Sequence, residues 1–181
     1  VDVVAVDISP RMVELARERG VAAEVGDVCA LPFDAHSFDL VVANWMLYHA
    51  PDIDLALSEL ARVLRPGGRL VAATNSTRHL EELWSLVGRD KTTEVRHFFS
   101  EDGEELLLRH FARVGRRDVV STIPFDTEGV RGYVGSSIVH KHLVANVPEL
   151  AAPLVATRRC TVFVAETTGD PRVAVSGRRR P

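Results

Sequence analysis

The chain has 181 residues, enough for one domain with a hydrophobic core. Its 46% hydrophobic and 26% charged residues are typical of globular domains, and its formal net charge is -3. The slight negative charge argues against a nucleic-acid-binding protein, since contacts to phosphates require clustered Lys and Arg. The sequence contains no run of eighteen apolar residues and no basic flank of a secretory signal, so we expect neither a membrane protein nor a secreted one.

The two cysteines and the basic run near the carboxyl terminus give little indication of function. Cys29 and Cys160 form neither a disulfide framework nor the spacing of a metal site. We expect both to be small core residues, which fits a cytoplasmic protein. The basic run at 178–180 is expected to lie in a solvated, disordered tail that covers residues 169–181.

The first predicted elements are a strand, a helix and a second strand. The apolar run at 1–6 predicts a strand, with Val3 to Val6 buried on both faces of a parallel sheet. Ser9 and Pro10 are typical of the start of a helix, and Gly20 of its end. Residues 21–25 then predict a second short strand.

The alternation continues along the first half of the chain. We predict a third strand at Phe38–Asn44, a helix at 52–64 that stops at 66–68, and a fourth strand at 69–75. Repeated strand–helix units of this length indicate an α/β fold with a largely parallel sheet.

The second half is less regular. We predict helices at 79–87, 102–110, 128–139 and 149–157, and strands at 114–123 and 160–167. One domain, over residues 1–168, accounts for all of these elements.

Ligands of open parallel sheets bind beyond the carboxyl ends of the strands. Asp7 and Ile8 follow the first strand, Asp27 and Val28 the second, and Asn44 the third. This set suits a nucleoside, because a carboxylate at Asp7 can accept hydrogen bonds from two ribose hydroxyls. Taken singly, an aspartate at the end of a strand more often caps a helix or forms a turn.

Three stretches, VVAVDISPRMVELAR, GDVCALPFDAHSFDLVVANWMLYH and LSELARVLRPGGRLVAATN, stand in this order over about residues 1–75. They resemble the class I S-adenosylmethionine-dependent methyltransferases, particularly the small-molecule branch that includes ubiquinone and menaquinone biosynthesis enzymes. The resemblance implies a Rossmann-like, mostly parallel sheet, S-adenosyl-L-methionine as cofactor and a small-molecule methyl acceptor.

The resemblance also assigns roles to the residues at the strand ends. Asp7 matches the acidic residue that binds ribose, and Ile8 the residue that packs on adenine. Asp27 and Val28 match the pair that reads the adenine edge. Asn44 matches the position near the methionine part of the cofactor.

The sequence departs from the family at its start. The family's first strand and helix, with the glycine-rich motif E/D-x-G-x-G-x-G, do not occur in this chain. That strand lies mid-sheet in the family, between the strands matched by 1–6 and 38–43. We expect an unpaired central ladder, which is costly when buried. Either the natural protein extends upstream, which Val1 in mid-strand favours, or the chain is an inactive relic.

His49 is the candidate catalytic base, because it follows the third strand and imidazole titrates near neutral pH. The alternative is a capping or packing histidine. Trp45, Met46 and Trp84 would suit an apolar acceptor pocket, although core packing explains them equally well or better.

Two other functions remain open at this point. Asp7 would also suit the ribose of NAD in a fragment of a nicotinamide-dependent dehydrogenase. A domain without its cofactor loop would suit an interaction module that has no activity.

Overall fold

The computed structural model describes residues 2–89, 98–137 and 139–169. Of the predicted tail at 169–181, only Gly169 lies within the described residues.

The first strand–helix–strand unit is confirmed. Strand β1 (Val4–Asp7), helix α1 (Pro10–Glu18) and strand β2 (Ala22–Val25) follow one another, and β1 pairs with β2 in parallel. The Ser9 hydroxyl accepts a hydrogen bond from a backbone N–H of the first turn of α1. Gly20 follows the helix at a φ of 79°, a left-handed conformation that glycine adopts without strain.

The prediction that this first strand is buried on both faces is wrong. Val3 is 66% exposed, and β1 itself is half-buried or exposed along its length. The physical reason is that β1 has one neighbour, β2, among the described strands. Its other edge and much of its surface are therefore without a covering layer in the described part of the chain.

The next strand–helix–strand unit forms the second pair of parallel strands. Strand β3 (Phe38–Asn44) is followed by a short 3₁₀ turn (Leu47–His49), helix α2 (Ile53–Val63) and strand β4 (Leu64–Asn75). Strands β3 and β4 are parallel, with Asn44 opposite Ala73 at their carboxyl ends. Strand β4 begins five residues earlier than predicted and contains a register irregularity at the Pro-Gly-Gly turn.

The second half adds antiparallel strands and short helices. Its elements are helices α3 (Glu81–Leu86) and α4 (Gly103–Leu108), strand β5 (Arg113–Phe125), helix α5 (Thr127–Gly135), a 3₁₀ segment (Lys141–Asn146) and strand β6 (Leu154–Glu166). Strand β6 lies between β4 and β5 and is antiparallel to both, so the order of the larger sheet is β3-β4-β6-β5.

The prediction of a helix at 149–157 is wrong. Residues 154–157 already belong to β6, where Val155 pairs with Pro124 and Thr157 with Thr122 of β5. The β-branched residues Val155 and Thr157 favour a strand, and the long β5 strand offers backbone partners along its whole length. The tertiary pairing thus outweighs the local pattern of leucines and alanines.

Most of the buried apolar residues belong to two clusters. The first packs α2 and α4 on one face of the larger sheet and contains Leu47 of the 3₁₀ turn. The second surrounds α3 and α5 near the start of β6 and contains Trp84. Residues of β3, β4 and the 3₁₀ turn belong to the first cluster, so core packing holds the carboxyl ends of both strands in place.

Three further findings concern only the residues that the structure describes. No helix there is long and apolar enough to cross a membrane. No group of three His, Cys, Asp or Glu side chains in those ranges is arranged to hold a metal ion. Cys29 and Cys160 are both free thiols and half-buried.

Candidate functional site

The carboxyl ends of β1 and β2 are tied to each other by the backbone. The Gly26 N–H donates to the Asp7 carbonyl oxygen at 3.1 Å, so the segments after the two strands start side by side. A Cβ atom at Gly26 would lie 2.8 Å from Cγ1 of Val6 and 3.2 Å from Cδ of Pro32. Glycine is needed there because the chain passes too close to its neighbours for a side chain.

Asp7 combines an exposed carboxylate with a local turn. Its Oδ1 accepts a hydrogen bond from the Ser9 N–H at 2.8 Å. Its other carboxylate oxygen accepts none from the residues that the structure describes. Ile8, the next residue, is 72% exposed. The turn-forming role is therefore present, and a second oxygen and an apolar side chain remain accessible beside it.

Asp27 is fixed in a similar way after β2. Its Oδ1 accepts a hydrogen bond from the Cys29 N–H at 2.8 Å, and the residue is half-buried. Val28 packs against the first core cluster. Burial is the main cause that raises the pKa of the Cys29 thiol, which is therefore protonated at neutral pH.

The segment after β2 lies next to the segment after β3. The Cys29 thiol contacts the carbonyl oxygen of Asp52 at 3.5 Å, and Asp52 caps the helix that follows the 3₁₀ turn. The Leu31 N–H donates to the Glu59 carboxylate on α2 at 2.9 Å. These contacts connect the Asp27 segment to α2 and its cap, which follow the 3₁₀ turn that carries His49.

Asn44 is the last residue of β3, an edge strand of the larger sheet, and Trp45 follows it. Asn44 is exposed, and the Trp45 N–H donates to the Ala73 carbonyl of β4 at 2.8 Å. Trp45 has a φ of 51°, and its indole Nε1–H donates to Asn75 Oδ1 at 3.1 Å. Nothing in the sequence predicts this conformation, because bulky residues rarely adopt it.

His49 is exposed at the end of the 3₁₀ turn. Its ring lies 4.5 Å from the ring of Tyr48, centroid to centroid. Leu47, in the same turn, is buried in the first core cluster and fixes the turn to it. The turn is thus fixed to the core, while His49 remains accessible.

Glu101 is a polar residue near these strand ends that the sequence did not single out. Its carboxylate accepts hydrogen bonds from the Ser76 hydroxyl at 2.6 Å and from the Thr77 N–H at 3.1 Å. Burial opposes ionisation of Glu101, but these hydrogen bonds outweigh burial and lower its pKa. The ionised carboxylate therefore orders the segment that follows β4.

The three residues predicted to suit an acceptor pocket differ in burial and do not share one cluster. Trp84 is only 6% exposed, with its ring 5.9 Å from that of Tyr133 and the Arg89 guanidinium 4.6 Å above it. Met46 is half-buried against the first core cluster, whereas Trp45 is 48% exposed. Core packing explains Trp84, and it does not explain Trp45.

Residues 1–72 match the family model described as a methyltransferase domain. The resemblance to the methyltransferase family is confirmed. The matched range contains every residue that we predicted for the cofactor and for the catalytic base, although the match does not test their roles. It gives no support to a dehydrogenase.

Two curated methyltransferases show how far the likeness extends. The malonyl-[acyl-carrier protein] O-methyltransferase of Salmonella typhimurium is 32% identical over 148 residues, which cover 78% of this chain and 58% of that protein. The demethylmenaquinone methyltransferase of Mycobacterium marinum is 45% identical over 113 residues, or 62% of this chain and 42% of that protein. The chain thus spans about half the length of these methyltransferases.

Solved structures support the fold. The YcgJ protein from Bacillus subtilis aligns with a TM-score of 0.63 at 18% identity, over 92% of this chain and 82% of that one. A protein from Thermotoga maritima, described as a SAM-dependent methyltransferase and possible histamine N-methyltransferase, aligns with a TM-score of 0.61 at 22% identity. That alignment covers 91% of this chain and 72% of that one. The predicted α/β fold of the class I methyltransferase type is confirmed.

Proposed function

We propose that this chain is part of an S-adenosylmethionine-dependent enzyme that methylates a small-molecule or carrier-linked acceptor. The main support is the hydrogen bond from the Gly26 N–H to the Asp7 carbonyl oxygen, which holds the ends of β1 and β2 together. Both strand ends lie within the residues that match the methyltransferase domain. When bound, S-adenosylmethionine supplies an electrophilic methyl group on a sulfonium. The protein has to bind the adenosine part, orient the acceptor and receive a proton.

Asp7 and Ile8 hold the ribose and one face of the adenine in this proposal. The Asp7 carboxylate is exposed and has one oxygen fixed by the Ser9 N–H, so its orientation is set before a ligand arrives. A preset carboxylate suits two adjacent hydroxyl donors, because charged acceptors form the stronger hydrogen bonds. The exposed Ile8 side chain suits a flat apolar ring.

Asp27 and Val28 read the edge of the adenine in this proposal. Asp27 is half-buried and oriented by the Cys29 N–H, which leaves its other oxygen for the exocyclic amino group. The Val28 N–H would donate to a ring nitrogen. The close packing at Gly26 supports the role, because it holds this segment against β1, where Asp7 lies.

Asn44 and His49 act at the reacting end. Asn44 is exposed at the end of β3 and would hydrogen-bond the methionine part of the cofactor. His49 would accept the proton of an acceptor hydroxyl as the new bond from oxygen to the methyl carbon forms. S-adenosylmethionine, held at Asp7, Asp27 and Asn44, would supply the methyl group and would leave as S-adenosylhomocysteine.

The acceptor class follows from the relatives in part. The names of the two curated relatives specify demethylmenaquinone and malonyl-[acyl-carrier protein], which are very different in shape.

A cytoplasmic location also belongs to this proposal, since two free cysteines suit a reducing compartment. We include neither a nucleic acid nor a membrane among the partners.

Calorimetric titration of the 181-residue chain with S-adenosylhomocysteine and, separately, with NADH tests the proposal. We expect saturable binding of S-adenosylhomocysteine and none of NADH. A folded chain that binds NADH alone would favour the dehydrogenase. A folded chain that binds neither ligand would contradict the proposal and favour the interaction module.

A further inference from the structure

Strand β5 has a free outer edge along its whole length. It pairs with β6 over 13 residues, from Arg113 to Phe125, and no other described strand lies beside it. Residues 115–120 are exposed in succession, so no layer in the described part of the chain covers either face of this stretch. A long free edge can pair with a strand of another chain, because its outward backbone N–H and C=O groups have no partner in the sheet.

The edge of β5 is distinct from the open side of β3. The strand that the family has and this chain lacks belongs beside β3, at the other end of the larger sheet. Strand β2 of the smaller sheet has only four residues, and its Ala23 carbonyl accepts a hydrogen bond from Arg17 Nε at 2.9 Å. Strand β5 therefore offers the longer edge, and the missing strand does not account for it.

The side chains of β5 protect this edge only in part. Charged residues and proline are the usual means by which proteins keep edge strands apart. Strand β5 has charged residues at 116–118 and a proline at 124, but residues 119–123 are uncharged, and four of these five are β-branched. Val119 and Val120, which point to opposite faces, are 43% and 60% exposed.

The charges of β5 complement those of a second β5 strand. Arg116 and Asp118 lie on one face and form an ion pair, with Nε 3.0 Å from Oδ1. In an antiparallel pair related by a two-fold axis, opposed residues are both even-numbered or both odd-numbered, because each residue must face its partner on the same side of the sheet. Among these registers, only the one centred on Arg117 sets Arg116 of each copy opposite the partner's Asp118. Four charges of alternating sign then lie together on that face.

We propose that two copies of this chain pair antiparallel through β5, with Arg117 at the two-fold axis. Residues 113–121 of each copy then face one another, and Pro124, which has no N–H to donate, lies outside the ladder. The exposed Val120 packs opposite the partner's Val114, and Val119 lies opposite the partner's Gly115. The two Arg117 side chains meet on the other face, where their like charges weaken the pairing.

Sedimentation velocity of the 181-residue chain, from low micromolar to millimolar protein, tests the pairing. We expect a weak dimer, because one pair of strands buries less than the about 800 Å² per partner of a stable complex. Arg117→Thr should strengthen the dimer by up to about fivefold, since it removes the like charges at the axis. This inference is independent of the proposed function.

A charge reversal and a charge swap test the register. Arg116→Asp sets two carboxylates opposite each other on both sides of the axis and should weaken the dimer about tenfold or more. The double variant Arg116→Asp, Asp118→Arg pairs opposite charges again and should restore association. Because Asp118 also accepts a hydrogen bond from the Thr161 hydroxyl, urea unfolding checks that each variant is folded. Val42→Lys, at an exposed position of β3, is the matched control and should leave the dimer unchanged.

The contrary outcomes are distinct. A folded chain that stays monomeric at millimolar concentration overturns the inference. Association that Val42→Lys abolishes does so too, since the copies would then meet through β3. An Arg116→Asp variant that dimerises as strongly as the unaltered chain, or a folded swap variant that dimerises no better than Arg116→Asp, would show that the copies do not pair in this register and would also overturn it.

Discussion

The carboxylate of Glu82 on α3 accepts hydrogen bonds from both the hydroxyl and the backbone N–H of Thr157 on β6, at 2.6 and 3.0 Å. The hydroxyl bond is the largest of the causes that lower the pKa of Glu82 from 4.5 to about 2. This pair fastens α3 to the sheet on the side of the second core cluster.

The free energy of unfolding should therefore fall at acid pH as the Glu82 carboxylate becomes protonated. Because the folded-state pKa is lowered, the stabilisation is complete above about pH 4.5 and is lost as the pH falls towards 2. Thr157→Val should lower the free energy of unfolding by about 1–2 kcal/mol at pH 7, since it removes a hydrogen bond to a charged group that is partly solvated. Urea unfolding at several pH values measures both effects.

A matched control for this pair is Glu128, whose exposed carboxylate forms a surface ion pair with Arg131. Glu128→Gln should change the free energy of unfolding by less than about 0.5 kcal/mol. Glu82→Gln should flatten the acid dependence between pH 4.5 and 2. An unchanged acid dependence in Glu82→Gln would show that the pair does not fasten α3.

Two glycines in helices should respond oppositely to alanine. A Cβ atom at Gly103, at the start of α4, would lie 2.7 Å from the Phe163 ring, whereas one at Gly132 in α5 would meet nothing within 4 Å. Gly103→Ala should cost about 1–3 kcal/mol through overpacking, and Gly132→Ala should stabilise by about 0.5–1 kcal/mol. Thermal unfolding of both variants checks the prediction, and equal effects would contradict the packing described for α4.

The two tryptophans should differ strongly in their contribution to stability. Trp84 fills the second core cluster, so Trp84→Ala should cost about 3–5 kcal/mol. Trp45→Gly removes an exposed side chain and relieves a strained backbone, so it should change stability by no more than about 1 kcal/mol. Urea unfolding compares the two variants. A large loss in Trp45→Gly would mean that Trp45 supports the fold itself.

His49 should affect turnover more than binding. If His49 receives the acceptor proton, His49→Gln should lower kcat by about 10²–10⁴-fold with little change in the affinity for S-adenosylhomocysteine. Release of S-adenosylhomocysteine can be assayed with demethylmenaquinol and with malonyl-acyl-carrier protein. An unchanged kcat with the acceptor that is methylated would assign His49 to the capping or packing role.

Local signals in the sequence predicted the first half of the fold well. Ser9 and Pro10 mark the start of α1, and the bounds predicted for β3 are those in the structure. These features depend on capping and on short apolar runs, which act over a few residues. The start of β6 depends instead on pairing with β5, about thirty residues away, and it was predicted as a helix.

The candidate site was predictable only in composition. Local patterns predicted that Asp7, Asp27 and Asn44 lie at or just after the ends of successive strands, while their roles in binding remain predictions. The strained conformation of Trp45 and the hydrogen bonds of Glu101 were not predicted, because both depend on partners from other elements, such as Ala73 and Ser76.

The most direct test of the adenosine site is the affinity of S-adenosylhomocysteine for Asp7→Asn, measured by calorimetry. This variant keeps an oxygen to accept from the Ser9 N–H and loses only the charge, so the turn should survive. Asp2→Ala serves as the control, because Asp2 is an exposed aspartate that precedes β1.

We expect Asp7→Asn and Asp27→Ala to weaken binding at least about tenfold, the effect of losing a hydrogen bond to a charged group, while Asp2→Ala binds as the unaltered chain does. Equal affinity in all four proteins would contradict the assignment of the adenosine site to the ends of β1 and β2.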